Sequence, residues 1–156
     1  MIYGIVIGII LGMFFSYHWV AKKNKQIAYL QQMTNKFTDF YQLMNHWVEL
    51  KSEGKSVADF FREQNYYNIA VYGMADMANR LYEDLEGTNV KIVYGIDRDV
   101  CCTGARVENI YSMHEELPQA DVIVVTPFYA FDSIKCALEK KTDCPIISIE
   151  EVLWSI

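Results

Sequence analysis

The chain has 156 residues, 52% of them hydrophobic and 22% charged, with 3 Pro, 4 Cys and a formal net charge of −6. That balance excludes a disordered chain, a collagen-like repeat and a small disulfide scaffold. The acidic sum and the lack of a long basic run also exclude a general nucleic-acid binder, whose affinity rests on clustered Lys and Arg.

The apolar excess is concentrated in Ile2–Val20, IYGIVIGIILGMFFSYHWV, which holds no charged residue. At 1.5 Å per residue, a helix of this length comes close to crossing a hydrocarbon core. The run therefore predicts a transmembrane anchor over residues 1–21. Tyr3 at one end, and Tyr17 and Trp19 at the other, suit the membrane interfaces. No basic segment precedes the run and SYHW is not a small-x-small cleavage site, which disfavours a removed signal peptide. Lys22, Lys23 and Lys25 follow directly. Positive charge on that side predicts a single-pass plasma-membrane protein, amino terminus outside and carboxyl-terminal domain cytoplasmic. Gly4, Gly8 and Gly12 recur every four residues, the spacing of a close helix-packing groove for a second copy or another membrane protein.

Residues 22–54 read as a connecting amphipathic helix, free of Gly and Pro from Lys22 to Lys51. Ile27, Thr34, Tyr41 and Val48 are spaced by seven, as are Leu30, Phe37 and Met44 three places further on. Two readings of this a/d pattern stand: a short parallel coiled coil, or a stripe packed on the body of the same chain. Phe40 and Trp47 widen the apolar face in the second direction. Gly54 stops the helix, and Ser56-x-x-Asp59 opens another with a capping signature.

Residues 55–156 alternate strands and helices. Strands are expected at Asn68–Tyr72, Val90–Ile96, Asn109–Tyr111, Asp121–Thr126 and Pro145–Ser148. Helical stretches are expected at Ala75–Leu85, Phe131–Lys141 and Glu150–Trp154, and a helical turn at Met113–Leu117 before Pro118. Runs near-continuous in Val and Ile between helices indicate a parallel sheet covered on both faces. Right-handed crossovers then give an α/β fold with a small doubly wound parallel sheet.

In such a sheet the ligand crevice lies beyond the carboxyl ends of the strands. The first end is Gly73-Met74-Ala75-Asp76-Met77-Ala78, in the turn where G-x-G-x-x-G fingerprints sit, with only the first glycine kept. Gly73 permits the tight turn and Ala78 close helix packing. Ala75 narrows the room for a pyrophosphate, and Asp76 suits the helix dipole but repels phosphate. The second end is Asp97, a carboxylate that can accept both hydroxyls of a ribose, with Arg98 beside it for a base or a phosphate. The third is Thr126-Pro127, a hydroxyl with exposed backbone. The competing reading is purely structural: Gly73 serves the turn, Asp76 caps the helix and Asp97 is a solvated loop acid.

No catalytic set is visible. Tyr129 has Ser133 rather than Lys four places on, and there is no G-x-S-x-G elbow or P-loop. His18, His46 and His114 are scattered. Cys101, Cys102, Cys136 and Cys144 form no C-x-x-C pair and lack a His at ligand spacing. They read as reduced thiols of a cytoplasmic domain, and no metal is expected.

With those residues in hand, Asn68 to about Phe128 resembles the Rossmann-like nucleotide-sugar or CoA-binding domains of bacterial surface-polysaccharide enzymes. Similar domains form the amino-terminal part of trimeric sugar acyltransferases. They also stand beside the membrane helices of nucleotide-sugar dehydratases and polyprenyl-phosphate sugar transferases. The shared layout is strand, glycine turn, helix, a strand ending Gly95-Ile96-Asp97, the segment Ser112–Leu117 and an Asp-Val-Ile-Val-Val strand. The resemblance implies a nucleotide diphosphate on Gly73, Met74 and Ala75 and a ribose on Asp97. The hexapeptide-repeat domain and the dehydratase Tyr and Lys are absent, so neither activity is implied.

Three functions follow as expectations. The first is a membrane-anchored module that binds a nucleotide or nucleotide-sugar as an accessory to envelope polysaccharide assembly. The second is an oxidoreductase using NAD with a partner chain, since Asp97 would repel the 2′-phosphate of NADP. The third is a scaffold that pairs through its helices and keeps a vestigial pocket.

Overall fold

The computed structural model describes residues 2–98 and 106–156, with side chains described from Gly12 onward. By its internal contacts the chain falls into two compact units, Met1–Gln42 and Leu43–Ile156.

The first unit belongs to one helix, α1 (Ile2–Ser52), which continues into the second unit. Among the described residues no helix has a stretch long and apolar enough to cross a membrane. The expected span is therefore not supported by them. Its described side chains, Gly12–Val20, fall short of the roughly 20 apolar residues a crossing needs. Residues 2–11, with Gly4 and Gly8, have side chains outside the described set. Gly12 has nothing within 4 Å of where a Cβ would stand. Within the same unit Ile27, Leu30, Phe37, Phe40 and Tyr41 are exposed.

In the second unit, the last turns of α1 bury Leu43, Trp47 and Leu50, at spacings of four and three that put them on one helix face. Met44 packs partly against the same core, whereas Val48 is exposed. The buried stripe thus runs beside the heptad positions instead of along them. Helix α2 (Val57–Glu63) opens as expected: the Ser56 hydroxyl accepts the Ala58 N–H at 3.2 Å.

Five strands follow: β1 (Asn68–Tyr72), β2 (Lys91–Asp97), β3 (Ile110–Ser112), β4 (Val122–Val125) and β5 (Ile146–Ser148). All pair in parallel, in the order β3-β2-β1-β4-β5. Helices α3 (Asp76–Leu85), α4 (Phe131–Leu138) and α5 (Ile149–Trp154) cover the sheet, with a 3-10 turn at Phe128–Ala130 before α4. Strand side chains alternate between two cores. Ile69, Val71, Val122 and Val124 join the core that holds Leu43, Trp47, Phe61, Leu81 and Val152. Ala70, Tyr72, Ile123 and Val125 join the core that holds Ile134 and Leu138. Burial on both faces is why these strands read as continuous apolar runs. The doubly wound parallel α/β fold expected from the sequence is thus the one observed.

The helical turn expected before Pro118 stays a single turn. Met113–Leu117 is a turn without a helix. The Glu115 carboxylate folds back on the Ser112 N–H at 2.5 Å, and the Ser112 hydroxyl accepts the His114 N–H at 3.2 Å. These two bonds form a capping box, which satisfies donors at a helix amino end, and the Glu115 N–H reaches the Ser112 carbonyl at 3.1 Å. Pro118, which has no N–H and disfavours helical backbone at the residue before it, ends the structure after one turn.

Candidate functional site

The strand order reverses between β1 and β4, because β2 and β3 extend to one side of β1 while β4 and β5 extend to the other. The carboxyl ends there carry Gly73 after β1, Asp97 at the end of β2 and Thr126-Pro127 after β4. The topology therefore brings three sequence-separated expectations to one rim, the place where doubly wound sheets bind ligands.

The turn after β1 is tightly built. Gly73 has φ +88°, and a Cβ there would stand 2.7 Å from Pro127 Cδ and 2.9 Å from Thr126 Oγ1. Both conformation and space demand glycine. The buried Thr126 hydroxyl donates to the Gly73 carbonyl at 2.7 Å and lies 3.2 Å from that of Tyr72. Its Oγ1 thus ties β4 to β1 and does not face open crevice. Pro127 closes over the glycine.

The Met74 side chain turns into the core, where its sulfur rests against Gly95 of β2; a Cβ at Gly95 would meet that sulfur at 2.6 Å. Met77 is likewise buried. These two residues offer the crevice only backbone. The Met74 N–H donates to Asp97 Oδ2 at 2.7 Å. Asp97 is therefore bonded to the glycine turn itself, linking the ends of β1 and β2. It is not a solvated loop acid.

Ala75 is the N-cap of α3 and has no side-chain oxygen with which to cap it. Asp76 is exposed in the first turn and does not act as a cap. An alanine here offers the first N–H groups of α3 no acceptor of its own, where Ser, Thr or Asp would supply one. Arg98 is exposed just beyond Asp97. The loop that follows, with Cys101 and Cys102, lies outside the described residues. The rim thus presents N–H groups at a helix amino end, a carboxylate 2.7 Å from the turn and a guanidinium-bearing residue next to it.

A groove of about 410 Å³ lies elsewhere, at the amino end of β5, lined by Lys135, Glu139, Thr142 and Cys144 among others. The Cys144 thiol donates to the Ala120 carbonyl at 3.3 Å, and burial, reinforced by Asp121, pushes its pKa up. That holds it as a neutral thiol. Nothing in the local sequence around Cys144 signals a groove, because its walls come from α4 and β5 jointly. Among the described residues no group of His, Cys, Asp and Glu is arranged to hold a metal ion.

No family model matches the chain, and neither a curated protein nor a solved structure matches it.

Proposed function

We propose that this chain is a Rossmann-like module that binds a nucleotide or nucleotide-sugar at the rim formed by Gly73–Met77, Asp97-Arg98 and Thr126-Pro127. The observation that carries the reading is the amino end of α3, whose N-cap Ala75 has no side-chain acceptor, seated where the strand order reverses. Backbone N–H groups and the positive end of the helix dipole suit a phosphate oxygen. Asp97 beside them suits a ribose hydroxyl and disfavours a 2′-phosphate, so NAD or a nucleotide-sugar fits better than NADP.

The bond from the Met74 N–H to Asp97 defines the chemistry further. One donor of the turn is already taken by a carboxylate, so a diphosphate would meet the N–H groups of α3 and not that of Met74. Binding is the proposed role, as an accessory to envelope polysaccharide assembly. The uncharged run Ile2–Val20 followed by Lys22, Lys23 and Lys25 is proposed as its single-span anchor, with the folded domain on the cytoplasmic side.

The test is a thermal shift of the full chain in detergent against NAD, NADP, CoA and UDP-, GDP- and CMP-sugars. A ligand at 100 times its dissociation constant adds about 2.7 kcal/mol to stability. A shift with one class, lost in Asp97→Ala, supports the reading. A folded sample that shifts with none of them overturns it.

A further inference from the structure

We infer that the exposed heptad face of α1 is an interface with a second copy of this chain, forming a short parallel two-stranded coiled coil over Ile27–Tyr41. Ile27, Leu30, Phe37 and Tyr41 fall on a and d positions and are all exposed, Phe37 at 67% and Tyr41 at 69%. Phe40, on the adjacent g position, is exposed as well. Monomeric surfaces scatter their apolar residues singly, whereas these lie on one face of one helix. The spacing is seven, not the drift of a straight helix, and a strict seven-residue repeat is what a left-handed supercoil of two helices requires.

Three details select a second copy over a different occupant. The residues beside the seam at e and g (Gln26, Gln31, Met33, Thr38, Phe40) carry no charge, so identical helices meet without like-charge repulsion. The one polar seam position, Thr34, has its hydroxyl bonded to the Leu30 carbonyl at 2.9 Å within its own helix, so it can be buried without losing a partner. In parallel register Thr34 meets Thr34, whereas antiparallel pairing sets it against a d residue, Leu30 or Phe37. The area is also adequate. Large aromatic side chains bury on the order of 150–250 Å² each, and the exposed seam sums to roughly 600 Å² per copy, approaching the ≈800 Å² per partner of a standard interface.

The experiment uses the full chain in detergent. Its protein mass is measured by light scattering for the wild type, for Leu30→Lys and for Phe37→Lys. Separately, Leu30→Cys on the seam and Asn35→Cys on the outer b position are oxidised and run without reductant, against the wild-type background. The expected results are a wild-type dimer, a dissociation constant raised roughly a hundredfold or more in either lysine variant, and a disulfide dimer from Leu30→Cys but not Asn35→Cys. A wild-type monomer overturns the inference. So does a dimer that both lysine variants leave intact, which would place pairing elsewhere, Gly4, Gly8 and Gly12 included. A dimer without the Leu30→Cys cross-link overturns the parallel register. Because Leu30, Phe37 and Asn35 are exposed, these substitutions do not threaten the fold.

Discussion

The indole N–H of Trp47 donates to Asp84 Oδ2 at 2.7 Å, joining the last turns of α1 to the end of α3. The other carboxylate oxygen of Asp84 pairs with Lys51, one turn further along α1. The Asp84 side chain is only 6% exposed, while Lys51 is 54% exposed. The carboxylate is therefore buried with two donors on it. Asp84→Ala leaves a buried indole N–H without an acceptor and is expected to cost about 2–3 kcal/mol. Lys51→Met takes the counter-charge from a carboxylate that stays buried, although Lys51 itself is solvated and the Trp47 bond remains, and should cost about 1–2 kcal/mol, less than Asp84→Ala. Urea unfolding followed by tryptophan fluorescence checks the order of the two.

Ala75→Asp separates folding from binding. The new carboxylate supplies the missing N-cap of α3 and is expected to raise stability by about 1 kcal/mol. It also places a negative charge where a phosphate would sit, so nucleotide affinity should fall at least tenfold. Thermal melts with and without ligand read both effects on one sample. A variant that is more stable and binds as well as the wild type would move the phosphate away from α3.

Thr126→Val tests the strap between β4 and β1. The substitution keeps the shape but leaves the Gly73 carbonyl without its 2.7 Å donor. A loss of about 1–2 kcal/mol is expected, visible as a lower denaturant midpoint with unchanged slope.

Alkaline pH should weaken the fold through Tyr94. This side chain is 2% exposed, and its hydroxyl donates to the Pro118 carbonyl at 2.7 Å. Burial chiefly, with smaller contributions from Cys144 and Tyr111, pushes its pKa from 10.0 up to about 12. The folded state thus holds the phenol proton after the unfolded chain has released it. The stabilisation is complete below about pH 10 and is lost as pH rises from there to about 12, by at most about 2–3 kcal/mol. Tyr94→Phe should flatten that part of the stability profile, measured by unfolding at stepped pH.

The sheet was legible because β1, β4 and the end of β2 are buried on both faces and so read as apolar runs, whereas β3 is only half-buried. Asn68–Tyr72 matches its predicted bounds, and the other strands fall within one or two residues of theirs. Gly73 was legible through its turn, and Asp97 through its place at a strand end. What the sequence could not carry was direction. Met74 and Met77 look like rim residues by position, yet both point into the core because Gly95 leaves a hollow that Met74 fills. The Asp97 bond to the Met74 N–H depends on the β1–β2 register, which no local pattern encodes. The turn at Met113–Leu117 was legible from its ends: Ser112 and Glu115 form a capping box at its start, and Pro118 keeps it from lengthening into a helix.

Leu43, Trp47 and Leu50 precede the first α/β residue by a turn or more of helix and are nonetheless among the most buried side chains of the domain. A fragment cut at Lys55, where the alternating pattern begins, would discard all three together with Lys51, and would leave Asp84 and an apolar trough facing water. A fragment begun a few residues before Leu43 retains them. Limited proteolysis of the full chain should accordingly halt on the amino-terminal side of Leu43, and the smallest soluble form of the domain carries the final turns of α1 as its own first helix.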